Sequence, residues 1–269
     1  MAIRGNKHPA PRVQWGMIGL LAFFLLLSGD TAWSDFKTWF EAEGTPGAPA
    51  DVLTAYSAKL KERGVPGPEA QARLQEIEAY GKQHPDEARA LHFNRIFTWS
   101  EAPFSREPSE FLKRVASTRK PGLALDIAMG QGRNSIWLAR NGWTVSGYDI
   151  SAEGIRQAQA AAAAAGVKLD TSIAAHETYA LGESKWDLIV MCFAFTKLSD
   201  TAYMKTVRDA LRPGGVLLVE GFGGGKPMQL NMILNAFLDY RVLVYEELPD
   251  VADWGKMKAP LLRMALEKP

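Results

Sequence analysis

Two rhythms of apolar residues divide the chain. From Leu123 onward, short runs rich in Val, Ile, Leu and Met alternate with stretches of helical spacing. The runs are Leu123–Met129, Thr144–Ile150, Leu169–Ala174, Trp186–Phe193 and Val216–Phe222. The helical stretches are Asn134–Asn141, Ala152–Ala165 and Thr201–Leu211. Strand-length apolar runs separated by helices predict a parallel sheet covered on both faces. Nearer the C-terminus the rhythm changes. Met228–Leu238 reads as a helix, and Arg241–Glu247 and Pro260–Glu267 read as strands. Too little chain separates these two strands for a crossover helix, so they pair antiparallel. The expected fold class is α/β: a doubly wound sheet, mostly parallel, with an antiparallel strand near its C-terminal edge.

Upstream, Val52, Leu53, Tyr56 and Leu60 keep helical spacing, as do Leu74, Ile77 and Tyr80. The breakers Gly64, Pro66, Gly67 and Pro68 lie between them, which predicts two short helices. Glu43–Ala50, rich in Gly, Pro and Ala, reads as a linker. His92–Phe111 gathers Phe93, Phe97, Trp99, Phe104 and Phe111 into one stretch. Such a stretch either walls a ligand pocket or staples the helices to the core.

The first residues follow a third pattern. Arg4, Lys7 and Arg12 precede an uncharged run from Val13 to Gly29. A basic flank and an apolar run predict a signal peptide or a membrane anchor. Ala32 and Ser34 are small residues suited to cleavage before Asp35. The expected organisation is a leader over 1–34, a linker and helical extension over 35–90, and the main domain over 91–269. Such a leader would leave the domain anchored to a membrane or exported, with its side of the membrane open.

Charge and composition narrow the function. The 31 basic and 30 acidic residues nearly cancel, so no strong basic field exists for a nucleic acid partner. A single cysteine, Cys192, excludes an internal disulfide and a cysteine-rich metal cluster. No metal site is expected. Neither a His-Glu-x-x-His helix nor a Gly-x-Ser-x-Gly elbow is present.

The chemistry concentrates where the first strand turns into the first helix of the sheet. There Asp126, Ala128, Gly130 and Gly132 alternate, and Asn134 follows. Glycines in a strand–turn–helix let the backbone approach a ligand, and the helix start favours negative charge. Asp149 ends the next strand, about 20 residues on, the place from which an acid grips ribose hydroxyls. Its competing reading is a cap for the helix that begins near Ser151.

From Leu123 to the C-terminus this arrangement resembles the class I S-adenosylmethionine-dependent methyltransferases. Asp126, Ala128, Gly130 and Gly132 follow the first motif, with Ala128 where glycine is commoner. Asp149 matches the ribose-binding acid, Trp186–Val190 the fourth strand, and Leu211–Gly215 the turn before the fifth. Residues 130–139 are most similar to the tellurite-resistance methyltransferases and their small-molecule relatives. The resemblance implies a Rossmann-like seven-stranded sheet and S-adenosyl-L-methionine as cofactor. It implies that Gly130 and Gly132 line the methionine part and that Asp126 holds the turn. It also implies that Asp149 binds the ribose with Ile150 against the adenine, and that Phe193 lies near the reacting methyl. Glu177, and less strongly His176, are candidates for the adenine amine. Direct in-line displacement onto a small-molecule acceptor follows, with no catalytic base identified. Cys192, in an apolar strand, is expected to be inert. The alternatives are an exported, non-catalytic binding domain of the same fold and an NAD(P)-dependent oxidoreductase. The latter expects a third glycine where this chain has Ser135.

Overall fold

The computed structural model describes residues 28–102, 104–194, 200–223 and 232–269. Its centre is a seven-stranded sheet in the order β3-β2-β1-β4-β5-β7-β6. The strands are β1 (Leu123–Ile127), β2 (Thr144–Asp149), β3 (Asp170–Ile173), β4 (Trp186–Cys192), β5 (Leu211–Phe222), β6 (Arg241–Val251) and β7 (Lys258–Glu267). The first five pair in parallel, and β7 runs antiparallel to both β5 and β6. The expected doubly wound sheet with an antiparallel C-terminal strand is the observed one.

Alternation along the central strands builds two cores, because successive side chains point to opposite faces. Leu188 and Val190 of β4 pack with Leu218 of β5 on one face, beneath helices α5 (Glu110–Ala116) and α6 (Arg133–Arg140). Ile189 and Met191 pack with Leu217 and Val219 on the other, beneath α8 (Thr201–Ala210) and α9 (Met232–Ala236). Helix α7 (Ala152–Ala164) lies between β2 and β3, and its Ile155 and Ala158 pack on Met129. Of the helix expected over 228–238, residues 228–231 lie outside the described residues.

The N-terminal region is a helical bundle with a core of its own. Its helices are α1 (Ser28–Ala42), α2 (Pro49–Glu62), α3 (Gly67–Gln83) and α4 (Pro85–Thr98). Ala32, Trp33, Phe36, Trp39 and Phe40 of α1 bury themselves against Tyr56 and Leu60 of α2, Ile77 of α3 and Leu91 of α4. Trp33 stacks on Tyr80 at 4.8 Å, and its indole N–H donates to Glu87 Oε1 of α4 at 2.8 Å. Tyr80 donates to the other oxygen of Glu87 at 3.0 Å. Helix α4 joins the bundle to the sheet, because Asn94 accepts from Ser151 Oγ at 2.7 Å and Gln157 donates to the Phe97 carbonyl at 2.9 Å.

This bundle corrects the reading of the N-terminus. Residues 28–34, expected to leave as the end of a signal peptide, form the first half of α1, and the supposed cleavage position lies inside it. Removing them would strip Trp33 from the bundle core. Among the described residues no helix is long and apolar enough to cross a membrane. The signal peptide, the membrane anchor and the membrane or export localisation are therefore not carried forward. Residues 1–27, with most of the uncharged run, lie outside the described residues.

Candidate functional site

The loop between β1 and α6 is shaped by backbone conformations that most residues avoid. Ala128, Gly130 and Gly132 all have positive φ, at 56°, 52° and 77°. The left-handed region suits glycine and costs an L-residue about 1–2 kcal/mol. Ala128 therefore carries strain, and strained non-glycine residues cluster at functional sites. Gly132 is the N-cap of α6, and a Cβ there would stand 2.9 Å from Ala158 Cβ. A Cβ on Gly130 would stand 3.0 Å from the Phe97 ring.

Two buried carboxylates hold this loop. Asp149 Oδ2 accepts from the Gly130 N–H at 2.8 Å, and its Oδ1 accepts from the Ser151 N–H at 2.8 Å. Asp149 thus ties the end of β2 to the glycine turn. Ser151, not Asp149, is the N-cap of α7, its hydroxyl accepting from Gly154. Burial pushes the Asp149 carboxyl up, and the N–H groups of Ser151, Gly130 and Ile150 oppose that shift. Asp126 accepts from the Ser135 hydroxyl at 2.6 Å, linking β1 to α6. Burial drives its carboxyl up to about 6, against the opposing pull of Ser135 and Arg133.

Above these groups lies a cavity of about 350 Å³ at the C-terminal ends of the parallel strands. Ligands of open α/β sheets bind at this edge, and the volume falls in the range of small-molecule sites. Of the residues singled out from sequence, Asp126, Ala128, Gly130, Asn134, Asp149, Ile150 and Phe193 all line it. Gly132 does not line it and serves the turn beneath. Glu177 does not line it either; it is exposed and pairs with Arg89 at 3.7 Å. Its neighbour His176 does line it, with Nδ1 3.0 Å from the Tyr148 hydroxyl. Tyr148 also bonds Tyr203 at 3.0 Å, and burial pushes both phenols up, Tyr203 to about 12. Asn134 is buried and accepts from the Ser109 N–H at 2.9 Å, so it anchors the chain that enters α5.

A second wall is aromatic. Phe93 and Phe97 of α4, Phe104 of the following segment, and Trp254 from the β6–β7 turn line the cavity. Phe104 stacks on Trp254 at 5.1 Å, Phe97 meets Phe104 edge-on at 5.5 Å, and Phe93 meets Trp254 at 6.4 Å. Backbone bonds fix the wall: Phe104 and Trp254 form an antiparallel bridge, and the Ser105 N–H donates to the Asp253 carbonyl at 2.8 Å. Arg133 at the start of α6 ties it to the loop, donating to Asp253 at 2.9 Å and to the Glu107 carbonyl at 2.7 Å. The aromatic stretch thus does both things its sequence allowed, walling the pocket and packing onto the glycine loop.

Cys192 and Phe193 close the floor at the end of β4. Phe193 has φ 56°, donates its N–H to the Glu220 carbonyl at 2.8 Å, and meets Phe222 edge-on at 5.3 Å. Burial pushes the Cys192 thiol well up, with Glu220 adding to the effect, so it stays a weak nucleophile. Glu220 was not foreseen: it accepts from Ser109 Oγ and from Arg263 Nε at 2.8 Å, a buried cluster pinning α5 and β7 to the end of β5. A charged residue within an apolar strand was its only sequence signal.

Comparison with known proteins agrees with this geometry. Residues 124–215 match a family model described as a methyltransferase domain. An uncharacterized protein of Mycobacterium tuberculosis is 31% identical over 144 residues, covering 51% of this chain and 50% of that protein. The chain thus spans about half the length of the curated relatives it matches. The crystal structure of TehB from Haemophilus influenzae superposes with a TM-score of 0.52 at 19% identity, over 59% of this chain and 61% of that one. The [4+2]-cyclase SpnF superposes with a TM-score of 0.50 at 15% identity, over 71% and 95% of the two chains. These structural likenesses are of fold, and the cyclase shows that the fold carries more than one activity.

Proposed function

We propose that this chain, whose residues 124–215 match a methyltransferase domain model, is a class I methyltransferase that transfers a methyl group from S-adenosyl-L-methionine to a small-molecule acceptor. The observation that carries the proposal is the clasp of Asp149 on the Gly130 N–H at the edge of the cavity. It places a carboxylate and a close-approach backbone side by side where the family holds its cofactor, within the segment the family model matches.

The residues fit that cofactor. Gly130 and its neighbours present backbone to the methionine part. Asp149 has lone pairs left on both oxygens after its two N–H bonds, enough to accept from ribose hydroxyls. Ile150 offers an apolar face to the adenine. Bound there, S-adenosyl-L-methionine supplies an electrophilic methyl on a sulfonium. Displacement from a sulfonium needs the acceptor in line, so positioning by the protein supplies much of the rate. The aromatic wall and Phe193 exclude water and hold an apolar body in the cavity. Cys192 keeps its proton and serves as lining. The modest cavity volume and the near-neutral charge favour a small acceptor over a polymer.

Incubating the full chain with methyl-labelled S-adenosyl-L-methionine and a panel of thiols, metalloid oxyanions and amines tests the reading. Label transferred to one acceptor class, with Cys192→Ser retaining the activity, supports it. Transfer to macromolecules alone would overturn the small-molecule assignment.

A further inference from the structure

Helix α4 sends a polar side chain to the turn between β2 and α7, from outside the segment that matches the methyltransferase family. Asn94 Oδ1 accepts from Ser151 Oγ at 2.7 Å and from the Glu153 N–H at 3.1 Å. A backbone N–H only donates, so the atom it meets is the amide oxygen, and the Ser151 hydroxyl gives its proton to that same oxygen. Ser151 Oγ in turn accepts from the Gly154 N–H at 3.0 Å. The Ser151 N–H donates to Asp149 Oδ1 at 2.8 Å, and Asp149 Oδ2 holds the Gly130 N–H. An unbroken chain of hydrogen bonds therefore runs from the helical bundle to the glycine turn. Its middle members, Ser151 and Asp149, are both buried.

The first N–H groups of a helix have no partner within it. In α7, Ser151 serves that of Gly154, and Asn94 serves that of Glu153 from another helix. Without Asn94 the Glu153 N–H and the buried Ser151 hydroxyl both lose their acceptor, and the turn that carries Asp149 loses two of its ties. Phe97, one turn further along α4, presses on the same region. A Cβ on Gly154 would stand 2.9 Å from its ring, and one on Gly130 3.0 Å. Helix α4 thus braces the clasp of Asp149 on Gly130 at two points. Asn94 and Ser151 do not line the cavity, so any influence of Asn94 on a ligand passes through the turn.

We infer that Asn94 is a positioning residue for the cofactor: it acts through Ser151 to fix Asp149 against Gly130, so that cofactor affinity depends on the docking of the helical bundle. By linkage, bound cofactor strengthens that docking to the same degree. The inference rests on the cofactor reading above.

Calorimetry with S-adenosylhomocysteine on the full chain tests it, using wild type, Asn94→Ala, Asp149→Ala and the double variant. Asn94→Ala binds about tenfold more weakly than wild type, the scale of removing a group that orients a ligand-binding side chain. In the Asp149→Ala background the same substitution costs less than about twofold, because the carboxylate it positions is gone. Ser151→Ala, which removes only the hydroxyl link, follows the same pattern and carries the test if Asn94→Ala does not fold. Wild-type affinity in folded Asn94→Ala would overturn the inference. So would a full tenfold penalty that persists without Asp149, since Asn94 would then serve the fold alone. Absence of S-adenosylhomocysteine binding by the folded wild type would instead remove the cofactor reading, and the inference with it.

Discussion

The cavity has two walls made in different ways. The β1–α6 loop is built from backbone: positive φ at Ala128, Gly130 and Gly132, and N–H groups held by Asp149. The wall beside it is built from side chains that converge from distant parts of the sequence. Phe97 comes from α4, Phe104 from the segment after it, and Trp254 from the β6–β7 turn. The first wall lies within the segment that matches the family model, and its geometry follows from a few glycines and acids at set spacing. The second lies outside the segment that matches the family model, since Phe97 and Phe104 precede residue 124 and Trp254 follows residue 215. On the proposed reading, the loop holds the cofactor and the aromatic wall shapes what else enters.

The largest test of that division concerns the bundle. Trp33→Ala removes a buried indole, its stack on Tyr80 and its bond to Glu87. It is expected to destabilise the bundle by about 3 kcal/mol, as truncations of buried Trp do. Chemical denaturation would detect this, and an unchanged transition would mean that α1 does not belong to the folded unit.

A second test reads the loop through pH. Asp126 is harder to ionise folded than unfolded, with its carboxyl at about 6 against an ordinary 3.8. Its contribution to stability is therefore full below about pH 4 and is lost as pH rises through about 6. Asp126→Asn does not titrate and still offers a carbonyl to Ser135. Its stability relative to wild type should rise by on the order of 2–3 kcal/mol between pH 4 and pH 7. Parallel pH profiles would show that Asp126 ionises without penalty.

The smallest effect is at Ala128. Ala128→Gly relieves the left-handed strain, partly offset by glycine's freedom in the unfolded chain. A net gain of about 0.5–1 kcal/mol is expected. A loss of stability would show that the methyl group packs usefully in spite of its φ.

The sheet was legible because its strands alternate with helices at regular spacing, and because the central strands β4 and β5 carry apolar residues on both faces. The glycine loop was legible because Asp126, Gly130, Gly132 and Asp149 are tied to local backbone needs. Helix α4 begins at Pro85 with Asp86 and Glu87 in its first turn, a start signal that the aromatics downstream overshadowed. Arg89 and Trp254 were not legible, since only tertiary packing brings them to the cavity, and neither was Glu220, which is buried at the end of β5. The N-terminus misled for a physical reason. The aromatic residues after Gly29 continue the apolar character of the run before it, yet Ala32, Trp33 and Phe36 fall at helical spacing on one face and bury against α2, α3 and α4.

The central claim is that the clasp between Asp149 and Gly130 marks the cofactor site. Calorimetry of S-adenosyl-L-methionine binding to the full chain, beside Asp149→Ala and with NAD as a control ligand, tests it most directly. The account predicts micromolar binding by the wild type, at least tenfold weaker binding by the variant, and no binding of NAD. Equal affinity in the two proteins, with both folded, would contradict it.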